Sequence, residues 1–318
     1  MRKLVNYLLS AGKIFKEFFA DYASYMNYSM DGRNVSPTEL TDSRILLVAH
    51  SLEKGMSFAS KRKGWGEQKA FSLLDLLKTV DAGKIDEPFI LGLNVLYKYS
   101  LDKEASKNEN LISGIKNITA SYKQYLDPKA YGTKVISEPP TFDKKTISEF
   151  FSSRSSVRYF SDKPVTDEEI KEAAKIANET PTACNRQTCK IYAYRNPEQI
   201  KKILDNQLGD QGWASGANTL FVITSNLSRF GGTYEHSQAL IDGGLFAMNF
   251  DWGLHLQHIA SCFKMYVRES KRQKEFLRIC EINPNEVPIV LILAGHYKDT
   301  TVYGPVSHRF SNDIIIKN

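Results

Sequence analysis

Two short segments of this chain concentrate groups able to do chemistry. The first, Arg154-Ser155-Ser156-Val157-Arg158-Tyr159-Phe160, puts two guanidiniums and two small hydroxyls on one loop behind an apolar helix. That set suits a dianionic phosphate, which takes charge-assisted, fork-shaped hydrogen bonds from arginine. The second, Pro181-Thr182-Ala183-Cys184-Asn185-Arg186-Gln187, offers backbone and amide groups that can line the edge of a planar ring. Other chemistries lack their residues. No Gly-x-Ser-x-Gly elbow follows a strand, and neither a GxGxxG nor a Walker A loop occurs. Cys184, Cys189, Cys262 and Cys280 form no CxxC pair and no other metal-type cluster. His255 and His258 stand three apart, a spacing that could share one metal face of a helix, but no third ligand accompanies them. Structural histidines, or one lining a pocket, are the simpler reading, and no metal is expected. Cys184 reads as a small core residue, with a redox-active thiol as the alternative. No side chain stands out as a general acid, so no catalytic residue is named.

The elements that must position these segments follow from apolar periodicity. Residues 39–52, 67–80, 89–99 and 112–125 each show helical spacing, and strand-like alternation is scarce before residue 131. Prolines and a glycine between 127 and 146 mark a linker, because proline denies a ladder donor and restricts its predecessor. The expected division is a helical region 1–135 followed by a second domain 136–318. In that domain Asp143 caps a helix carrying Ile147, Phe150 and Phe151, which delivers Arg154 to the loop. Thr166 and Glu169 form a capping box. Residues 190–194 and 219–224 read as strands around a helix over 197–204; a long helix covers 237–260, and 287–294 reads as a buried strand.

Composition bounds the class. With 318 residues and 42% hydrophobic residues the chain has room for about two domains with real cores. The formal charge is +6, but both signs are mixed along the chain, which suits anionic small ligands and argues against a nucleic-acid partner. Four dispersed cysteines suggest a reducing, cytoplasmic protein. At the N-terminus Leu4, Leu8, Phe15, Phe18, Phe19 and Tyr22 share one helical face after Arg2 and Lys3. That face is expected to pack on its own domain or on a dimer partner, with adsorption to an anionic membrane surface as the alternative. His50-Ser51-Leu52-Glu53-Lys54-Gly55 and Arg62-Lys63-Gly64-Trp65-Gly66 form a further signature. His50, Glu53 and Lys54 read as capping and salt-bridge groups or as ligand contacts; Lys61-Arg62-Lys63 reads as a solvated loop, and Trp65 as a possible lid aromatic.

The Arg154 and Pro181 segments together resemble the nitroreductase family, over about residues 147–315, with the N-terminal signature resembling a helical extension found in a branch of it. The resemblance implies an α+β fold, a nitroreductase-like mixed central sheet flanked by helices and preceded by an all-helical region. It implies FMN, held at its phosphate and ribityl chain by Arg154, Ser155 and Ser156, with Arg158 beside the pyrimidine edge, where a cation favours the anionic reduced flavin. Pro181, Thr182, Ala183, Asn185 and Gln187 would run beside the ring, and Arg309, in Ser307-His308-Arg309, would return to the phosphate. It further implies a homodimer, NAD(P)H as a transient co-substrate, an electron-poor small molecule as acceptor, and ping-pong order. The chain departs from the family at Thr188-Cys189, where many relatives have Pro-Trp, and at His258-Ile259-Ala260, where relatives have Gly-Leu-Gly. Those lost glycines motivate a rival reading, a flavin-fold scaffolding protein without turnover. Relatives with the extension occur at surface-polysaccharide biosynthesis loci.

Overall fold

The computed structural model describes residues 2–208, 216–309 and 316–317. Helix α1 (Arg2–Tyr28) is followed by α2 (Pro37–Met56), α3 (Glu67–Thr79), α4 (Glu87–Leu101) and α5 (Glu109–Ser121). The last four enclose one apolar core containing Ile45, Leu52, Leu73, Phe89, Leu93 and Ile115. Their ends are set by side chains: Ser36 and Glu39 form a reciprocal capping box at α2, and Asp86 accepts from Phe89 N at α4. The expected helices are all present, one to four residues longer or shorter at their ends.

The N-terminal signature serves this helical core. Gly55 lies against the Trp65 ring so closely that a Cβ there would overlap it. Trp65 is buried edge-on to Tyr99, whose hydroxyl donates to Trp65 O at 2.6 Å. Lys61, expected in a solvated loop, instead donates to Asp102 Oδ2 at 2.7 Å and sits 5.6 Å from the Trp65 ring centroid. Trp65 is therefore a core residue and not a lid.

Beyond the linker come α6 (Lys144–Ser153), α7 (Asp167–Asn178), β1 (Cys189–Tyr194), α8 (Pro197–Asn206), β2 (Thr219–Asn226), α9 (Gln238–Leu256), β3 (Ile259–Met265), α10 (Ser270–Cys280) and β4 (Glu286–His296). The strands form one four-stranded sheet in the order β1-β2-β4-β3. Leu220, Val222, Leu291 and Leu293 face α8 and α10; Phe221, Ile223, Ile292 and Ala294 face α7 and α9. Burial on both faces explains why β2 and β4 read as continuous apolar runs and not as alternating strands. Pro288, which has no N–H, sits in β4 where the register with β2 shifts at Ile223/Thr224.

The fold is α+β with helices on both faces, but the pairing differs from the mixed sheet expected. Among the described residues the three strand pairs are antiparallel. Among the described residues the only parallel contact of this sheet is an isolated bridge between Ser156 and Ser261. The long helix also ends before residue 260: α9 stops at Leu256, His258 takes a left-handed φ of 57°, and β3 starts at Ile259. His255 and His258 thus do not share a helix face, and no three metal-type side chains converge among the described residues.

Gly253 shows how tightly α9 is seated. A Cβ there would lie 2.5 Å from Ala173 O and 2.7 Å from Ala173 Cα, both backbone atoms of α7 that cannot swing aside. Gly253→Ala is expected to cost about 1–3 kcal/mol through overpacking. An unchanged thermal midpoint would contradict this α7–α9 approach.

Helix α1 was expected to pack on its own domain or on a dimer partner; within the chain, among its described side chains, Tyr25 is the buried one and its expected apolar face stays exposed, as described below.

Candidate functional site

The Arg154 loop begins where α6 ends, with Arg154 at the C-cap in extended backbone. Val157 N donates to Ser261 O at 2.9 Å, and the Val157 and Phe160 side chains are buried in the sheet core, so the loop is pinned along the first residues of β3. This anchoring brings charge to one place. Arg154 Nη1 lies 3.9 Å from Asp251 Oδ2, on α9, and the Asp251 side chain is 0% exposed against 17% for Arg154. Ser261 Oγ donates to Asp251 Oδ1, while Asp251 Oδ2 has no hydrogen-bond partner. Burial pushes the Asp251 carboxyl up, and the Ser261 hydroxyl and the Arg154 and His255 charges pull it back. Ser153 Oγ and His255 Nε2 share a hydrogen bond of 2.8 Å, and burial holds the imidazole below its usual range.

Arg158 and Ser156 face the same spot. Burial raises the Cys262 thiol, but the Arg158 charge, a Ser156 hydrogen bond and the Arg154 charge all act to lower it. Two guanidiniums and a hydroxyl are therefore grouped at the N-terminal end of β3, with Ser155 exposed beside them. This donor set fits a phosphate dianion. A Cβ on Gly304 would lie 3.7 Å from Ser156 O, so the C-terminal segment passes this loop five residues before the exposed Arg309.

The Pro181 turn is built differently. Cys184, Asn185 and Gln187 have φ of 52°, 52° and 49°. Asparagine accepts left-handed backbone readily, cysteine and glutamine much less so, and such strain persists only where surroundings over-determine it. Here the surroundings are specific. Asp242 Oδ2 accepts from Ala183 N at 3.0 Å, and Thr182 Oγ1 accepts from Gln187 N at 3.0 Å. Arg186, fully buried, donates from Nε to Ala183 O at 2.9 Å and from Nη1 to Arg229 O at 2.7 Å. Its fork also grips Glu235 at 2.8 and 2.7 Å, with the guanidinium 4.9 Å from the Phe230 ring centroid. Burial pushes the Glu235 carboxyl up, but hydrogen bonds from Arg186 and Gly231 N outweigh it and hold it below the usual range. The turn presents Pro181, Asn185 and Gln187 to solvent, with Thr182 and Ala183 half-buried. Cys184 is exposed, so its reading as a core residue is corrected.

Within one chain the two segments are anchored at opposite ends of α9. The Pro181 turn is tied to Asp242 near the start of α9, and the Arg154 loop to Asp251 near its end. A helix rises about 1.5 Å per residue, so these anchors stand about 14 Å apart. Along the outer side of α9, Ile241 and Leu245 are exposed and Gly244 faces open space.

His258 answers the question posed by the missing glycines. It adopts the left-handed backbone that a glycine would favour, and its N–H donates to His255 O at 3.0 Å, so the turn keeps its shape with a less tolerant residue. His258→Gly is expected to stabilise the protein by roughly 0.5–1 kcal/mol. A fall in thermal midpoint would mean that the imidazole makes a contact worth more than the strain.

Sequence reasoning missed Arg186, Asp251 and Ser261 as positioning groups. Arg186 sits between two expected contact residues, and Ser261 follows the expected turn at His258 without a role of its own. A lone aspartate in the apolar stretch Phe246–Leu256 was the available signal for Asp251, since an acid there must find partners when buried.

Residues 151–211 match the family model described as the nitroreductase family, which shows the resemblance over the segment that carries both loops. No curated protein matches the sequence. Among solved structures, a nitroreductase family protein from Streptococcus pneumoniae is 20% identical, over 52% of this chain and 96% of that one, with a TM-score of 0.43. A nitroreductase with bound FMN from Desulfitobacterium hafniense is 19% identical, over 54% of this chain and 100% of that one, with a TM-score of 0.41.

Proposed function

We propose that this chain is an FMN-dependent oxidoreductase of the nitroreductase type, working as a homodimer of a helical region 1–135 and a flavin-binding domain 136–318. The observation that carries this reading is the separation of the two segments to opposite ends of α9, whose outer side is apolar and uncovered. A two-fold axis across the middle of α9 exchanges its ends. The Arg154 loop of one copy then meets the Pro181 turn of the other, and each site is complete only in the pair.

In that site Arg154, Ser155, Ser156 and Arg309 hold the phosphate and ribityl chain, and Arg158 stands at the pyrimidine edge. Pro181, Thr182, Ala183, Asn185 and Gln187 line the ring. Bound FMN supplies hydride acceptance from NAD(P)H and its return to an electron-poor small molecule, in ping-pong order. The chain's own part is binding, orientation and charge. Asp251 offsets the Arg154 guanidinium before an anion arrives and fixes its direction, while Arg186 fixes the turn. The family match over residues 151–211 supports the oxidoreductase class. The left-handed turn kept by His258 favours turnover over the scaffolding reading.

Leu245→Glu tests the pairing. Leu245 is exposed, so the fold should survive, while the dimer and the bound flavin should be lost together. Light scattering with flavin absorbance reads both. A monomer retaining one FMN per chain would contradict the shared site.

A further inference from the structure

Helix α1 is attached by the wrong side for a helix that serves its own core. Its polar side faces the body: Glu17 Oε2 accepts from Ser270 N at 2.7 Å, Asp21 Oδ1 from Arg268 Nη1 at 3.1 Å, and Asp21 Oδ2 lies 3.5 Å from His236 Nε2. The apolar side turns outward. Leu4, Leu8, Phe15, Phe18, Phe19 and Tyr22 are each 53–73% exposed. At 3.6 residues per turn these six fall within an arc of about 100°, with Glu17 on the far side and Asp21 at the edge of the arc, at the same angle as Lys3. A soluble amphipathic helix buries its apolar stripe; here only Tyr25 at its end is buried, and Phe15, Phe18, Phe19 and Tyr22 stay exposed along an open groove beside Gly232, Thr233 and His236.

Charge identifies what covers it. Residues 3–16 carry Lys3, Lys13 and Lys16 and no acidic residue. On the helical wheel Lys3 and Lys16 flank the apolar arc on its two sides, where their stems can follow apolar surface while the ammonium groups reach outward. Lys13 and Lys16 also line a groove of about 570 Å³ against the start of α10, together with Arg268 and Lys271. On that groove Asp21 pairs with Arg268 and Glu269 with Lys271 and Arg272, while Glu17 accepts from Ser270, so its remaining positive charge is carried by Lys13 and Lys16. An anionic surface meets both features at once. No helix among the described residues is long and apolar enough to cross a membrane, so α1 would lie on the surface.

We infer that α1 docks this protein on an anionic lipid surface, lying in its plane with the aromatic face among the acyl chains and the lysines at the headgroups. The inference is independent of the flavin reading. Flotation of the full chain with vesicles of phosphatidylglycerol and phosphatidylcholine, against phosphatidylcholine alone, tests it at low and raised salt. The protein should float with the anionic vesicles only, and raised salt should release it. Lys3→Glu/Lys16→Glu should weaken the partitioning about tenfold or more. Phe15→Glu/Phe19→Glu should abolish it with an unchanged thermal midpoint, since both positions are exposed. Flotation with neither vesicle, or equally with both, overturns the inference. So does a change of subunit number in Phe15→Glu/Phe19→Glu, which would make a second copy the occupant.

Discussion

Arg154→Met should abolish retention of FMN and lower the thermal midpoint, while Arg154→Met/Asp251→Asn should recover the midpoint and leave the flavin site empty. The two effects have separate origins. Removing the guanidinium takes a charge-assisted partner from the phosphate, a loss of about a hundredfold in affinity. It also leaves the buried Asp251 carboxylate, whose Oδ2 has no hydrogen-bond partner, without its nearest cation. Breaking a fully buried pair costs about 3–5 kcal/mol. The separation of 3.9 Å and the partial exposure of Arg154 bring the expected figure to roughly 1–3 kcal/mol. Neutralising Asp251 removes that cost but restores no phosphate donor. Thermal unfolding and a flavin titration distinguish the outcomes. Recovery of flavin binding in the double variant would show that Arg154 acts only as a counter-ion.

Arg186→Met should have the largest effect on stability of any single change near the site. The guanidinium is fully buried, satisfies two backbone carbonyls and grips Glu235 with both arms. Methionine keeps much of the volume but strands the Glu235 carboxylate and both carbonyls, at about 3–5 kcal/mol. For a chain of this size that is a fall in midpoint of about 5–8 °C. Lysine cannot reproduce a planar fork, so Arg186→Lys should recover little. Arg186→Met/Glu235→Gln should recover part of the loss. The strained residues Cys184, Asn185 and Gln187 depend on the same anchor through Ala183 O, so flavin affinity should fall alongside stability. A stable Arg186→Met protein that has lost only flavin would contradict a structural role.

Much of this arrangement was legible in the residues, for reasons that differ by element. Caps at Asp143, Thr166 and Asn196 were readable because each is a local hydrogen bond between neighbours in sequence. Strands β2 and β4 were readable as apolar β-branched runs. Strand β3 was not, because Ser261 and Lys264 break its apolar pattern and the left-handed turn at His258 has no glycine to announce it. The two loops expected to carry the cofactor contacts were found from residue type, yet nothing local indicates that α9 holds them at opposite ends. The groups that fix them, Asp242, Asp251 and Glu235, lie from about 50 to about 100 residues away from the side chains they hold. Helix α1 was legible as amphipathic, but not which of its own domain, a dimer partner or a membrane surface its stripe meets, because periodicity reveals a stripe and not what covers it.

The account rests on a flavin that is both held and reduced, and one spectrum tests it. The purified chain is incubated with FMN, desalted, and its visible absorption followed as NADH and then NADPH are added without oxygen. The expected result is about one retained flavin per chain, bleached by at least one of the two nucleotides and restored by an electron-poor acceptor. A folded protein that leaves the column colourless would contradict the roles given to Arg154, Arg158 and Arg309. Bound flavin that neither nucleotide bleaches would contradict NAD(P)H as the reductant.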